Sequence, residues 1–169
     1  MRQNGTIRQH PSINNALRRE LGSFVNVRPV CGWRGVSGEY AAMDLVIMRE
    51  VTEDMYSGLE RQVDEDCAEA TKRITGTASR RIAKFSCEYA ERFGRRKVMA
   101  VHKANVLKLS DGLFLREVRK VAQQYPDVQL EELIVDATAA LLIRSPERFD
   151  VLVTTNMFGD ILSDEAAEL

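Results

Sequence analysis

The chain has 169 residues, 44% hydrophobic and 29% charged, enough for one domain with a substantial core. Its formal net charge of −1 leaves no electrostatic footprint for nucleic acid or an anionic membrane surface. No apolar run approaches the roughly 20 residues of a membrane span, and Met1 to His10 lacks the apolar centre of a signal peptide.

In chain order, Pro11-Ser12 opens a helix with Ser12 as its cap, and Leu21-Gly22 closes it. A β-branched run from Val25 to Val30 reads as a strand, residues 34–41 as a loop marked by Gly35, Ser37 and Gly38, and Leu45 to Met48 as a second strand. Ala78, Ile82, Phe85, Tyr89 and Phe93 recur at helical spacing as one apolar stripe, and Gly94 ends it. Val98 to Val101 is a third strand. Ser110-Asp111 caps a helix bearing Leu113, Phe114, Val118, Val121 and Ala122, with Pro126 past its end. Leu133 to Val135 and Val151 to Thr155 complete the strands. Strands alternating with helices predict an α/β fold, and no linker divides residues 1–169, so a single domain is expected. Cys31, Cys67 and Cys87 are odd in number and widely spaced, which fits reduced packing thiols in a cytoplasmic protein better than a disulfide framework or zinc site.

The chemistry concentrates near the C-terminus. Asn156-Met157-Phe158-Gly159-Asp160-Ile161-Leu162-Ser163-Asp164 follows a strand and opens a helix. At a spacing of four, Asp160 and Asp164 project from one helix face about a turn apart. Their mutual repulsion invites a positive charge between them, and a hard divalent cation with a taste for oxygen would supply it. Acids facing the N-terminal end of a helix dipole are the alternative reading of the same spacing.

The surrounding words go further. Arg49-Glu50 followed by Thr52-Glu53-Asp54-Met55-Tyr56-Ser57-Gly58, then Val101-His102-Lys103-Ala104-Asn105, Lys108-Leu109-Ser110-Asp111-Gly112-Leu113-Phe114 and Ile134-Val135-Asp136-Ala137 precede the aspartate pair in order. Ser12-Ile13-Asn14-Asn15-Ala16-Leu17-Arg18 and Asn26-Val27-Arg28-Pro29 open the series. Together they resemble the isocitrate/isopropylmalate family of β-decarboxylating dehydrogenases over residues 12–169. The resemblance implies the small, dimer-forming domain of that fold with short flanks from the large domain.

Carried over by residue, the resemblance implies that Arg18, Arg28 and Arg49 hold substrate carboxylates, a task suited to a planar, permanently charged guanidinium. Ser12 and Asn14 would read the variable part of the substrate, and that pair is more typical of isocitrate enzymes. Asp136, Asp160 and Asp164 would bind Mg²⁺ or Mn²⁺. Tyr56 and Lys103 would transfer protons; a lysine at the end of a buried strand would be desolvated, which favours its neutral form. The implied substrate is a small hydroxy di- or tricarboxylate, oxidised with NAD or NADP and then decarboxylated. In the family a lysine and an aspartate reach the site from the partner subunit, so a homodimer is expected.

Two departures qualify these expectations. Val51 stands where the family has Asn, and an apolar branched side chain cannot supply an amide's hydrogen bonds near Tyr56. No glycine-rich dinucleotide word is present, so the NAD(P)-binding part is expected to be absent and hydride transfer by this chain alone is not expected. A stand-alone dimer serving as a non-redox, metal-dependent lyase or cyclase, or as a regulatory subunit binding a small molecule, is the alternative.

Overall fold

A computed structural model describes residues 13–32 and 40–169. The elements run α1 (Ile13–Glu20), β1 (Val25–Cys31), β2 (Asp44–Glu50), β3 (Glu60–Gln62), β4 (Ala68–Ala70), α2 (Gly76–Arg92), β5 (Lys97–His102), α3 (Ser110–Ala122), β6 (Gln129–Ile134), α4 (Val135–Arg144), β7 (Val151–Thr154) and α5 (Asn156–Ala167). Five strands form one sheet in the order β1-β2-β7-β5-β6. β1 is antiparallel to β2, and the remaining pairs are parallel. β3 and β4 form a separate antiparallel hairpin whose residues are all exposed.

Side-chain alternation along the strands explains the layers. Val46 and Met48 of β2, Val98 and Ala100 of β5, and Val151 and Val153 of β7 point to one face, where α2 and α3 cover them. Leu45, Ile47, Met99, Val101 and Leu152 point to the other, against Leu142 of α4 and Leu162 and Ala166 of α5. Both faces of the central strands are therefore buried, as a mainly parallel sheet requires. The expected α/β class is what the chain adopts.

Several local expectations change. The buried face of α2 is Ala78, Ser79, Ile82, Ala83, Ser86, Cys87 and Ala90, rotated from the aromatic stripe. Phe93 is 57% exposed, and Phe85 stands at the rim, edge-on to Phe24 with ring centroids 5.7 Å apart. Small residues let the helix lie close to the sheet, and the aromatics cover its margin. Thr75 caps this helix by accepting from the Ala78 amide at 3.2 Å. Ser110-Asp111 is not a side-chain cap of α3: Ser110 is already helical, and Asp111 accepts instead from the Lys103 amide at 2.7 Å. Val135 belongs to α4 and not to a strand; its run Ala137–Ile143 is apolar except for the buried Thr138, so it shows little contrast between faces. Cys87 packs in the core, where burial pushes its thiol up to about 11, but Cys31 and Cys67 are exposed and do not pack. The Ser12 cap and most of the 34–41 loop lie outside the described residues.

Candidate functional site

The parallel strands end on one side of the sheet, and the charged side chains collect there. Arg49 is the second-last residue of β2, Lys103 follows β5, Asp136 opens α4 after β6, and Asp160 lies in α5 just after β7. The carboxyl edge of an open α/β sheet is the usual place for a ligand.

Asp160 is the centre of one group. Arg49, with its side chain only 3% exposed, bonds Asp160 through one terminal nitrogen and donates its Nε to Asn156 Oδ1 at 2.9 Å. From β1, Arg28 reaches Asp160 at 3.6 Å and Asp164 at 2.7 Å, and also bonds the Ser163 hydroxyl. The Tyr56 phenol donates to the second oxygen of Asp160, and the Arg49 guanidinium lies 5.1 Å from the centre of its ring. That bond to Asp160, with burial second, raises the Tyr56 phenol above its ordinary value, so it stays protonated well past neutrality. Burial pulls the Arg49 guanidinium below its ordinary value; Asp160 and Tyr56 oppose this, and Arg28 and Arg18 add to it. Two guanidinium groups, those of Arg28 and Arg49, thus share a single carboxylate.

Gly159 permits this geometry. A Cβ there would stand 2.7 Å from both Cβ and Cγ of Arg49 and 3.2 Å from its Cα, so only glycine lets α5 settle on β2 at this point. Asn156, 1% exposed, accepts from Arg49 and donates its amide to the Glu53 carbonyl at 3.0 Å. Neither residue stands out in sequence except through its place in the Asn-X-X-Gly-Asp word.

Beside this group opens a cleft of about 380 Å³ lined by Arg18, Val51, Thr52, Tyr56, Ser57 and Arg81 among others. Val51 faces that cleft, and the turn it was expected to loosen is held by other groups. The Glu50 carboxylate accepts from the Thr52 amide at 2.9 Å and from the Glu53 amide at 3.1 Å. Tyr56 is 45% exposed, so it is a cleft residue and not a packed one.

Lys103 and Asp136 form the second group. Their side chains bond each other, and this bond holds the Asp136 carboxyl below the usual carboxylate range. The Lys103 side chain is 27% exposed and paired with Asp136. Among the described residues no hydrogen bond or ion pair joins this pair to Arg28, Arg49, Asp160 or Asp164, and no cluster of three metal-type ligands occurs within one chain. Asp160 and Asp164 alone offer oxygens one turn apart, a donor set that suits Mg²⁺ or Mn²⁺ but is short of ligands. Ser12 lies outside the described residues; Asn14 is in α1, and its side chain is not described.

The fold is thus a mainly parallel α/β sheet with arginines and acids gathered at its carboxyl edge. The chain belongs to the isocitrate/isopropylmalate dehydrogenase family, whose model matches residues 3–169. It is 54% identical to the 3-isopropylmalate dehydrogenase of Methanothermobacter thermautotrophicus, over 90% of this chain and 46% of that one. It is 45% identical to the mitochondrial isocitrate dehydrogenase [NAD] catalytic subunit 5 of Arabidopsis thaliana, over 95% and 43%. The crystal structure of isocitrate dehydrogenase from Methylococcus capsulatus superposes with a TM-score of 0.91 at 42% identity, covering 99% of this chain and 50% of that one. The chain therefore spans about half the length of the relatives it matches, and its fold is a domain of theirs. No helix among the described residues is long and apolar enough to cross a membrane.

Proposed function

We propose that this chain is the substrate-, metal- and dimer-forming segment of an NAD(P)-linked decarboxylating dehydrogenase of a hydroxy di- or tricarboxylate. The observation that carries this reading is the convergence of Arg28 and Arg49 on Asp160 beside an open cleft that Arg18 lines. A substrate with two or three carboxylates meets those arginines with bidentate, charge-assisted bonds. Ser12 and Asn14 favour an isocitrate-like acid, whereas the 54% identity is to an enzyme named for isopropylmalate. The Cys31, Cys67 and Cys87 thiols support a reducing compartment such as the cytoplasm; names of relatives also include mitochondrial and chloroplastic enzymes.

In this reading the arginines orient the acid, and Tyr56, kept protonated by Asp160, returns a proton to carbon after CO₂ is lost. Lys103 takes the proton from the substrate hydroxyl. Asp160 and Asp164, with Asp136 of a second copy, would hold Mg²⁺ or Mn²⁺, which polarises the substrate oxygen and stabilises negative charge on it. NAD or NADP would supply the hydride acceptor, and we assign no residue of this chain to it.

The separation of the Lys103–Asp136 pair from the Asp160 group supports a site completed by a second copy. The β3-β4 hairpin supports the same view. It is fully exposed and flanked by Leu59 and Val63, 40% and 49% exposed, and two strands alone are marginal in water. Light scattering at micromolar concentration should therefore give twice the 19.1 kDa chain mass. A monomer at that concentration would count against the shared site.

A further inference from the structure

Outside the substrate and metal groups, one buried cation joins the segments of this chain that carry Lys103, Tyr56 and Asp160. Lys72 lies two residues past β4, at the foot of the exposed hairpin, with its side chain only 10% exposed. Its ammonium is 2.7 Å from Asp111 Oδ1, 3.9 Å from Asp54 Oδ1 and 3.5 Å from the Thr155 hydroxyl, and it sits 4.2 Å from the centre of the Phe158 ring. Asp54 and Asp111 are both fully buried. Two carboxylates this deep share the one ammonium, and backbone amides donate to their other oxygens.

What the two carboxylates hold on their other side gives the cluster its meaning. Asp111 accepts from the backbone amide of Lys103 at 2.7 Å. Asp54 accepts from the amide of Met157, in the first turn of α5, at 2.9 Å, and from the amide of Met55 at 2.9 Å, which opens the turn bearing Tyr56. Asp54 does this at φ +79°, ψ −151°, a region otherwise left to glycine, so its carboxylate bonds outweigh the backbone strain. The Lys103 turn, the Tyr56 turn and the Asp160 helix thus meet at a single ammonium, carried by the chain that leads out of the hairpin. Thr71 fixes that foot by donating its amide to the Leu59 carbonyl at 2.8 Å.

We infer that Lys72 is a positioning residue that holds Lys103, Tyr56 and the aspartate helix in mutual register and ties that register to the seating of the hairpin. The inference rests on the substrate and metal reading for its functional consequence, and on the geometry alone for the register. Without the ammonium, Asp54 and Asp111 repel and draw in water, and the amides they hold are released together.

Amide hydrogen exchange of the full chain tests it, comparing Lys72→Met with Val128→Ala, a core truncation at the opposite edge of the sheet. Lys72→Met should lower protection of the Lys103 and Met157 amides about tenfold more than Val128→Ala does, after correction for each variant's loss of global stability. It should also weaken isocitrate binding in the presence of Mn²⁺ about tenfold, with binding by Val128→Ala within about twofold of the unsubstituted chain. Equal protection of the two amides in both variants overturns the inference. Should Lys72→Met not fold, the unsubstituted chain still decides: the two amides should open in one step with the same dependence on low guanidinium, and independent opening overturns the coupling. An unsubstituted chain that fails to bind isocitrate with Mn²⁺ would instead sink the functional reading, and the exchange result would still decide the role of Lys72 in the register.

Discussion

Replacing Gly159 by alanine should destabilise the protein by about 1–3 kcal/mol, although alanine is the better helix former. In an exposed helix interior the exchange would gain up to about 1 kcal/mol. Here the added methyl meets Cβ and Cγ of Arg49 at 2.7 Å, and those atoms are the root of a buried side chain on the central sheet. They cannot swing aside as the end of a flexible chain could, so α5 must lift from β2. That lift also separates Arg49 from Asn156 and Asp160. At roughly 2–4 °C per kcal/mol for a chain of this size, calorimetry should show a melting temperature lowered by about 3–10 °C. An unchanged or raised melting temperature would mean that helix propensity outweighs the contact.

The second large effect is expected at Asp160, where substitution by asparagine keeps the shape and removes the charge. Arg49 is left with neutral acceptors such as the Asn156 side-chain oxygen and the introduced amide oxygen, and Arg28 keeps Asp164. A buried guanidinium without its counter-ion costs about 1–3 kcal/mol, and because the Asp160 side chain is 29% exposed, the lower half of that range applies. The functional loss should be larger than the stability loss. Arg28 and Arg49 both hold the carboxylate that the proposed divalent cation would use. On the proposed function, cation and arginines would compete for Asp160, and a bound cation would free the guanidiniums for substrate. Asp160→Asn should therefore abolish both the Mn²⁺-dependent rise in melting temperature and the dependence of acid binding on Mn²⁺. A Mn²⁺ shift equal to that of the unsubstituted chain would count against Asp160 as a ligand.

Much of this arrangement was legible in the sequence, for unequal physical reasons. The β-branched runs gave their strands because a buried parallel strand is apolar on both faces and short, as Val151–Thr154 and Leu45–Met48 are. The α2 stripe misled because packing close to a sheet selects small residues, so Ala83, Ser86 and Ala90 outrank Phe85 and Phe93. α4 escaped notice because Ala137 to Ile143 lacks a polar face and so shows no period. Arg28, Arg49, Tyr56 and Asp160 were found through a resemblance, since a lone arginine or tyrosine carries no site signal of its own. Lys72, Asp54 and Asp111 were silent as a cluster. Their significance is a three-way meeting of distant segments, and no local spacing encodes it. Val51 reads as a loss in sequence, but in the fold Glu50 supplies the bonds that hold its turn.

The measurement closest to the central claim is calorimetric titration of the chain with isocitrate, isopropylmalate and tartrate, each with and without Mn²⁺. Arginines that share Asp160 with a cation predict saturable binding of one of the first two acids, tightened about tenfold or more by Mn²⁺, within the usual range of coupling between two sites. Tartrate, which keeps the malate backbone but lacks both the isopropyl group and the third carboxylate, should bind more weakly. The choice between isocitrate and isopropylmalate would then show which of the two acids the chain prefers. Absence of binding heat for both acids at millimolar concentration with Mn²⁺ present would contradict the assignment of Arg18, Arg28 and Arg49 as carboxylate ligands, and with it the proposed function.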